Sequence, residues 1–123
     1  MSDPRHLLGI AAENATARWL DGCGWRVLAR RCRSPNGGEV DLVALDPDGA
    51  LVAVEVRARR TSKAGAAAFS VDGRRVSRLR RTLASVGAAS STPHRSLRVD
   101  LVTVEPVDGA AGTWRLARIP GVG

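Results

Sequence analysis

Gly38-Glu39-Val40-Asp41-Leu42-Val43-Ala44-Leu45, then Asp46-Pro47-Asp48-Gly49, then Ala50-Leu51-Val52-Ala53-Val54-Glu55-Val56-Arg57, is the stretch that decides the fold. Two β-branched, apolar runs, Glu39 to Leu45 and Leu51 to Arg59, flank a Pro-Asp-Gly loop, which is a hairpin signal. Such a loop favours a type I turn closed by Gly49 in the left-handed region. Asp46 then pairs with Ala50, which places Val43 opposite Ala53, Asp41 opposite Glu55 and Glu39 opposite Arg57. Side chains alternate along strands, so Glu39, Asp41, Glu55 and Arg57 share one face. Val40, Leu42, Val52, Val54 and Val56 fill the other.

Two carboxylates directly across a strand pair repel each other and destabilise it unless something compensates. Hard oxygen donors at that separation suit one Mg²⁺ or Mn²⁺. The bland alternatives are that the pair lies at a solvated hairpin end, or that nearby arginines neutralise it. A solvated face would carry more polar residues than these runs do.

Working outward, Asp3 before Pro4 makes an N-cap and N1 pair, and residues 4–21 read as a helix with Leu8, Ala11, Ala12, Ala15 and Trp19 on its apolar face. Residues 25–33 read as a first strand, followed by turn residues Ser34 to Gly38. Residues 60–73, rich in Ala, Ser and Gly, read as a mobile loop. Residues 74–88 form a basic amphipathic helix, with Val76, Leu79, Leu83 and Val86 on one side and Arg74, Arg75, Arg78 and Arg81 on another. Leu97 to Val104 is a fourth strand and Thr113 to Ile119 a short fifth at an edge. The expected fold class is α/β, a single mixed sheet flanked by helices in the order α-β-β-β-α-β-β. One domain over residues 1–123 with flexible C-terminal residues is expected.

The chain has 123 residues, 44% of them apolar, enough for a modest core without staples. Cys23 and Cys32 form no C-x-x-C pair and the histidines, His6 and His94, lie far off, so a zinc cage is not indicated. Neither a membrane span nor a secretory leader is visible, and a cytoplasmic protein is expected. Nineteen basic residues against twelve acidic ones leave a net charge of +7, which points to an anionic partner, nucleic acid first. All but Lys63 of those basic residues are Arg, a bias that fits a GC-rich genome and makes part of the charge compositional. Only four aromatic residues are present, so a base-stacking platform is disfavoured. No G-x-S-x-G elbow, P-loop or H-E-x-x-H motif supports another enzyme class.

The hairpin resembles the active-site hairpin of the restriction-endonuclease-like, or PD-(D/E)xK, nucleases. More narrowly, Gly38-Glu39-Val40-Asp41-Leu42 and Val54-Glu55-Val56-Arg57-Ala58-Arg59-Arg60 are similar to the GEIDLI and VEVKTRR signatures of the small bacterial YraN-like proteins. Leu8-Gly9 with Glu13 and Ala17, and Leu97 to Val102, extend the resemblance from about His6 to Ile119. It implies a metal-dependent nuclease, structure-selective on DNA, with Asp41, Glu55 and the Val56 carbonyl as ligands of Mg²⁺ or Mn²⁺. It also implies that Glu13 resembles a first-helix glutamate some resolvase-like members add to the site, and that Glu39 is an accessory or alternative ligand. Arg57 stands where the motif has Lys. A guanidinium carries the charge and binds phosphate bidentately but does not serve as a base. Arg59, Arg60, Arg74, Arg75, Arg78 and Arg81 are the expected nucleic-acid contacts. Asp100 reads as structural. The competing expectation is a non-catalytic nucleic-acid-binding module, or an adaptor for another DNA-processing protein. A second copy of the chain is a further candidate partner.

Overall fold

Asp3 opens the first helix by accepting the Arg5 N–H at 3.0 Å, and Pro4 needs no donor at that position. In the computed structural model, which describes residues 3–35, 37–59, 72–107, 109 and 112–122, α1 spans Pro4–Gly22, β1 Arg26–Arg33, β2 Glu39–Leu45, β3 Ala50–Ala58, α2 Gly73–Ala89, β4 Ser96–Pro106 and β5 Trp114–Ile119. This is the expected order. The stretch expected to be a loop, 60–73, lies outside the described residues as far as residue 71. Its last two residues start α2 instead, since Asp72 caps the helix by accepting the Arg74 N–H.

The strands form one mixed sheet in the order β1-β2-β3-β4-β5, with β3 and β4 parallel and the other pairs antiparallel. Parallel pairing of β3 and β4 requires a crossover, which α2 supplies. α1 covers one face through Ala12, Ala17 and Leu20 against Leu42, Ala44, Val52, Val54, Val102 and Val104. α2 covers the other through Leu79 and Leu83 against Val43, Leu51, Ala53 and Val99. Period-two alternation on β2 and β3 produces this division.

Two expectations about faces need correction. On α1 the buried residues are Ala12, Ala15, Thr16, Ala17 and Leu20, with Leu8, Ala11 and Trp19 only half-buried. Small residues spread around this helix leave little periodicity to choose a face, and Thr16 hides its hydroxyl by donating to the Ala12 carbonyl at 2.8 Å. Val40 packs with the α2-side cluster rather than with Leu42. It lies beyond Leu42–Val54, the last pair of the β2–β3 ladder, so the strand end is free to turn away.

The turn forms as its sequence demands. Gly49 has φ 93, the Asp46 carbonyl accepts the Gly49 N–H, and the Asp46 N–H reaches the Ala50 carbonyl at 2.9 Å. At the other end, Gly121 donates its N–H to Asp100 and Val122 donates to the Val99 carbonyl, so the C-terminal residues expected to be flexible make specific bonds. Among the described residues no helix is long and apolar enough to cross a membrane.

Gly38 enables a close approach that the sequence alone does not display. A Cβ there would lie 2.1 Å from Thr82 Oγ1 on α2, far inside contact distance. Gly38→Ala is therefore expected to destabilise the fold by roughly 1–3 kcal/mol, the cost of overpacking. Denaturant unfolding reads this, and Thr82→Ala in the same chain should restore much of the loss. A Gly38→Ala protein as stable as wild type would show that the loop and helix can part freely.

Candidate metal and nucleic-acid site

Asp41 and Glu55 reach the α2 side of the sheet where the β2–β3 ladder ends. The observed pairs, Leu42–Val54, Val43–Ala53, Ala44–Val52 and Leu45–Leu51, keep the register expected from the turn. One step further, the Asp41 carboxylate itself bonds β3, with Oδ2 accepting the Val56 N–H at 2.9 Å. On its other side, Arg31 lies between the Arg30–Leu42 and Cys32–Val40 pairs with a left-handed φ of 48. Ladder pairing is thus interrupted around Asp41, and its carboxylate is held at the backbone between the two candidate ligands Glu55 and Val56.

Glu55 is 3% exposed, and its Oε2 is buried without a hydrogen-bond partner among the described residues. Its Oε1 is met by two arginines: Arg75 Nη2 at 2.6 Å and Arg57 Nε at 3.7 Å. Burial pushes the Glu55 carboxyl above its ordinary value, and the neighbouring Asp41 charge pushes the same way against Arg75 and Arg57. Burial likewise raises Asp41, with Glu39 adding to it, while the Val56 N–H and both arginines oppose. Even with two arginines nearby, burial leaves both carboxyls above their ordinary values.

Beside them lies a cleft of about 520 Å³ lined by Gly37, Gly38, Glu39, Asp41, Arg75, Arg78, Leu79 and Thr82. Glu39 therefore shares the cleft with Asp41, though its own carboxylate is exposed and pairs with Arg33 at 3.4 Å. Arg57 is exposed. Glu13 is not brought to this pair. It meets Arg31 at 3.3 Å from α1, the helix on the opposite face.

The expected nucleic-acid contacts divide into three groups. Arg74, Arg78 and Arg81 are exposed on α2, and together with Gly73 and Ser77 they line a shallow groove. Arg75 departs from them, because it sits four residues before Leu79 and seven before Thr82 on the buried stripe of α2 and turns inward to Glu55. That spacing was the signal for its position. Arg59 donates its backbone N–H to the Val104 carbonyl, and Arg60 lies outside the described residues.

Among the described residues no three His, Cys, Asp or Glu side chains converge as a metal cluster. The donors expected from the resemblance, two carboxylates and a backbone carbonyl, would be a composition suited to a hard cation. The unpartnered, buried Glu55 Oε2 fits a cation, since an anionic oxygen out of water needs a positive or donating partner.

A model for an uncharacterised protein family, UPF0102, matches residues 12–104 of this chain. A UPF0102 protein of Corynebacterium efficiens is 37% identical over 122 residues, spanning 99% of this chain and 96% of that protein. One from Mycolicibacterium vanbaalenii is 41% identical over 106 residues, 84% of each chain. Another, from Pelotomaculum thermopropionicum, is 50% identical over 82 residues, 65% of each. The matched span carries the hairpin, α2 and β4 up to Val104.

Proposed function

The chain belongs to the UPF0102, or YraN-like, family, and from that footing we propose that it is a metal-dependent nuclease with a restriction-endonuclease-like fold, hydrolysing phosphodiesters of DNA. The observation that carries this reading is the buried Glu55 beside the half-buried Asp41, with Glu55 Oε2 left without a partner among the described residues. Asp41, Glu55 and the Val56 carbonyl would hold Mg²⁺ or Mn²⁺. Such a cation supplies charge neutralisation at a phosphate and acidifies water.

The chain's own residues do the rest. Arg57, exposed beside Glu55, offers a guanidinium to a phosphate oxygen and stabilises charge developing there. Arg74, Arg78 and Arg81 present a basic track for the backbone. Phosphate contacts fix position without reading sequence, which supports selection by substrate structure rather than by base order. Glu39, which lines the cleft beside Asp41, adds negative potential there that favours a cation.

A specific observation favours a second reading, a nucleic-acid-binding module without catalysis. Glu55 is engaged by Arg75 as well as Arg57, and the motif Lys is absent. Cleavage assays on duplex, flap, junction and single-stranded substrates with Mg²⁺ or Mn²⁺ decide between them. The nuclease reading expects slow cutting by wild type and faster cutting by Arg57→Lys. One positioned charge-stabilising donor contributes up to about 3 kcal/mol, a rate factor on the order of 100. A metal-binding protein whose Arg57→Lys variant cuts none of these substrates is a binding module.

A further inference from the structure

Arg75 makes only half of the contact its geometry allows. A guanidinium facing a carboxylate can give two parallel bonds, one from Nε and one from a terminal nitrogen. Here Nη2 donates to Glu55 Oε1 at 2.6 Å, while Arg75 Nε and Glu55 Oε2 are both buried without a hydrogen-bond partner among the described residues. Unpaired donors and acceptors of this kind are costly, so the arrangement is one that a better set of partners displaces readily. Arg75 also lines the cleft with Asp41 and Arg78, and its side chain is 39% exposed, which gives it somewhere to go.

A divalent cation on Asp41 and Glu55 would stand within a few ångströms of this guanidinium. Like charges that close, in a site of reduced dielectric, repel strongly. Arg75 and the cation therefore compete for Glu55 Oε1. We infer that Arg75 is an exchangeable counter-ion: it neutralises Glu55 in the cation-free protein, and on cation binding it transfers to a phosphate of nucleic acid in the cleft. A phosphate offers the two acceptor oxygens that Nε and Nη2 require together. The inference rests on the metal-site reading above and goes beyond it by making Arg75 a substrate contact that couples the two ligands. Cation and nucleic acid then each strengthen the binding of the other by the same factor.

The test is an Mn²⁺ titration by calorimetry or water-proton relaxation at mildly alkaline pH, with and without a phosphorothioate-linked DNA duplex that resists cleavage. Wild type should bind Mn²⁺ more tightly in the presence of the duplex, by roughly tenfold, a typical coupling factor. Arg75→Gln should bind Mn²⁺ more tightly than wild type without DNA, and the duplex should add little. Arg80→Gln removes the same charge from an exposed position of α2 that lines neither the cleft nor the basic groove, and should keep the wild-type coupling. Unchanged or weaker Mn²⁺ binding by Arg75→Gln, with wild type binding the ion, overturns the counter-ion inference and leaves the metal site standing. Absence of coupling in wild type overturns it equally, so the idea stays testable even if Arg75→Gln does not fold. No Mn²⁺ binding by any form, with or without DNA, overturns both readings.

Discussion

Asp41→Asn and Glu55→Gln are each expected to lower cleavage by about 100-fold or more and to weaken Mn²⁺ binding in parallel, because loss of an ionised ligand removes several kcal/mol of transition-state stabilisation. The same substitutions should leave the metal-free fold at least as stable at pH 7. Both carboxyls have folded values raised above 3.8 and 4.5 respectively, burial being the largest cause. A group that holds its proton more tightly when folded gains stability as pH falls through its folded value, and carries a deficit above it. Neutral amides lack that deficit, so the variants should match wild type or exceed it by about 0.5 kcal/mol, the scale of a relieved cross-strand repulsion. Wild type should recover the difference as pH falls toward about 4, the ordinary carboxylate range. Asn also keeps an oxygen for the Val56 N–H. Urea denaturation at pH 7 and at about pH 4 measures this. A metal-free loss of about 3 kcal/mol, the size of a broken buried ion pair, would instead identify Glu55 with Arg75 as a structural bridge.

Those two carboxylates were legible because a strand hairpin is a local object. Pro47, Asp48 and Gly49 set the turn, the turn sets the register, and the register places Asp41 and Glu55 on one face. Local patterning also suffices for the seven elements and for the end of the sheet where β5 lies. Information is lost where a side chain's role depends on another element. Arg75 was grouped with Arg74, Arg78 and Arg81 by charge, although its spacing to Leu79 and Thr82 belongs to the buried stripe. Glu13 looked eligible for the site through its resemblance to a motif position, but the helix carrying it packs on the other face and Arg31 takes its carboxylate. Gly38 lay inside the quoted motif without revealing that Thr82 sits against it, since that contact joins a loop and a helix far apart in sequence.

Arg98→Ala is expected to cost about 3–5 kcal/mol of folding stability, the penalty for breaking a buried charge network by removing one partner. Arg98 and Asp100 are two residues apart on β4, so both point to the α1 face among Val102 and Val104. Asp100 is fully buried and accepts from Arg98 Nε at 2.7 Å, Arg98 Nη2 at 3.0 Å, Arg118 Nη1 at 3.0 Å and the Gly121 N–H at 3.0 Å. Arg98 Nη1 reaches Asp46 Oδ2 at 2.9 Å, tying β4 to the hairpin turn. Both guanidinium groups lie over the Trp25 ring, at 5.8 and 5.2 Å. These bonds raise Arg98 above its ordinary value. Burial alone would raise Asp46, but the Ala50 N–H, Arg98 and the Asp48 N–H together hold it below 3.8. Asp46 therefore contributes stability at neutral pH that is lost only as pH falls below 3.8 through its lower folded value. Without Arg98 the folded value of Asp46 moves back toward its ordinary one, so this contribution and its loss in acid should both be smaller. The comparison is urea unfolding of wild type and Arg98→Ala across the acid range, and a cost under about 1 kcal/mol would reduce the network to an ordinary surface ion pair. Because the network faces α1 and the carboxylate pair faces α2, folded Arg98→Ala should still bind Mn²⁺ with wild-type affinity.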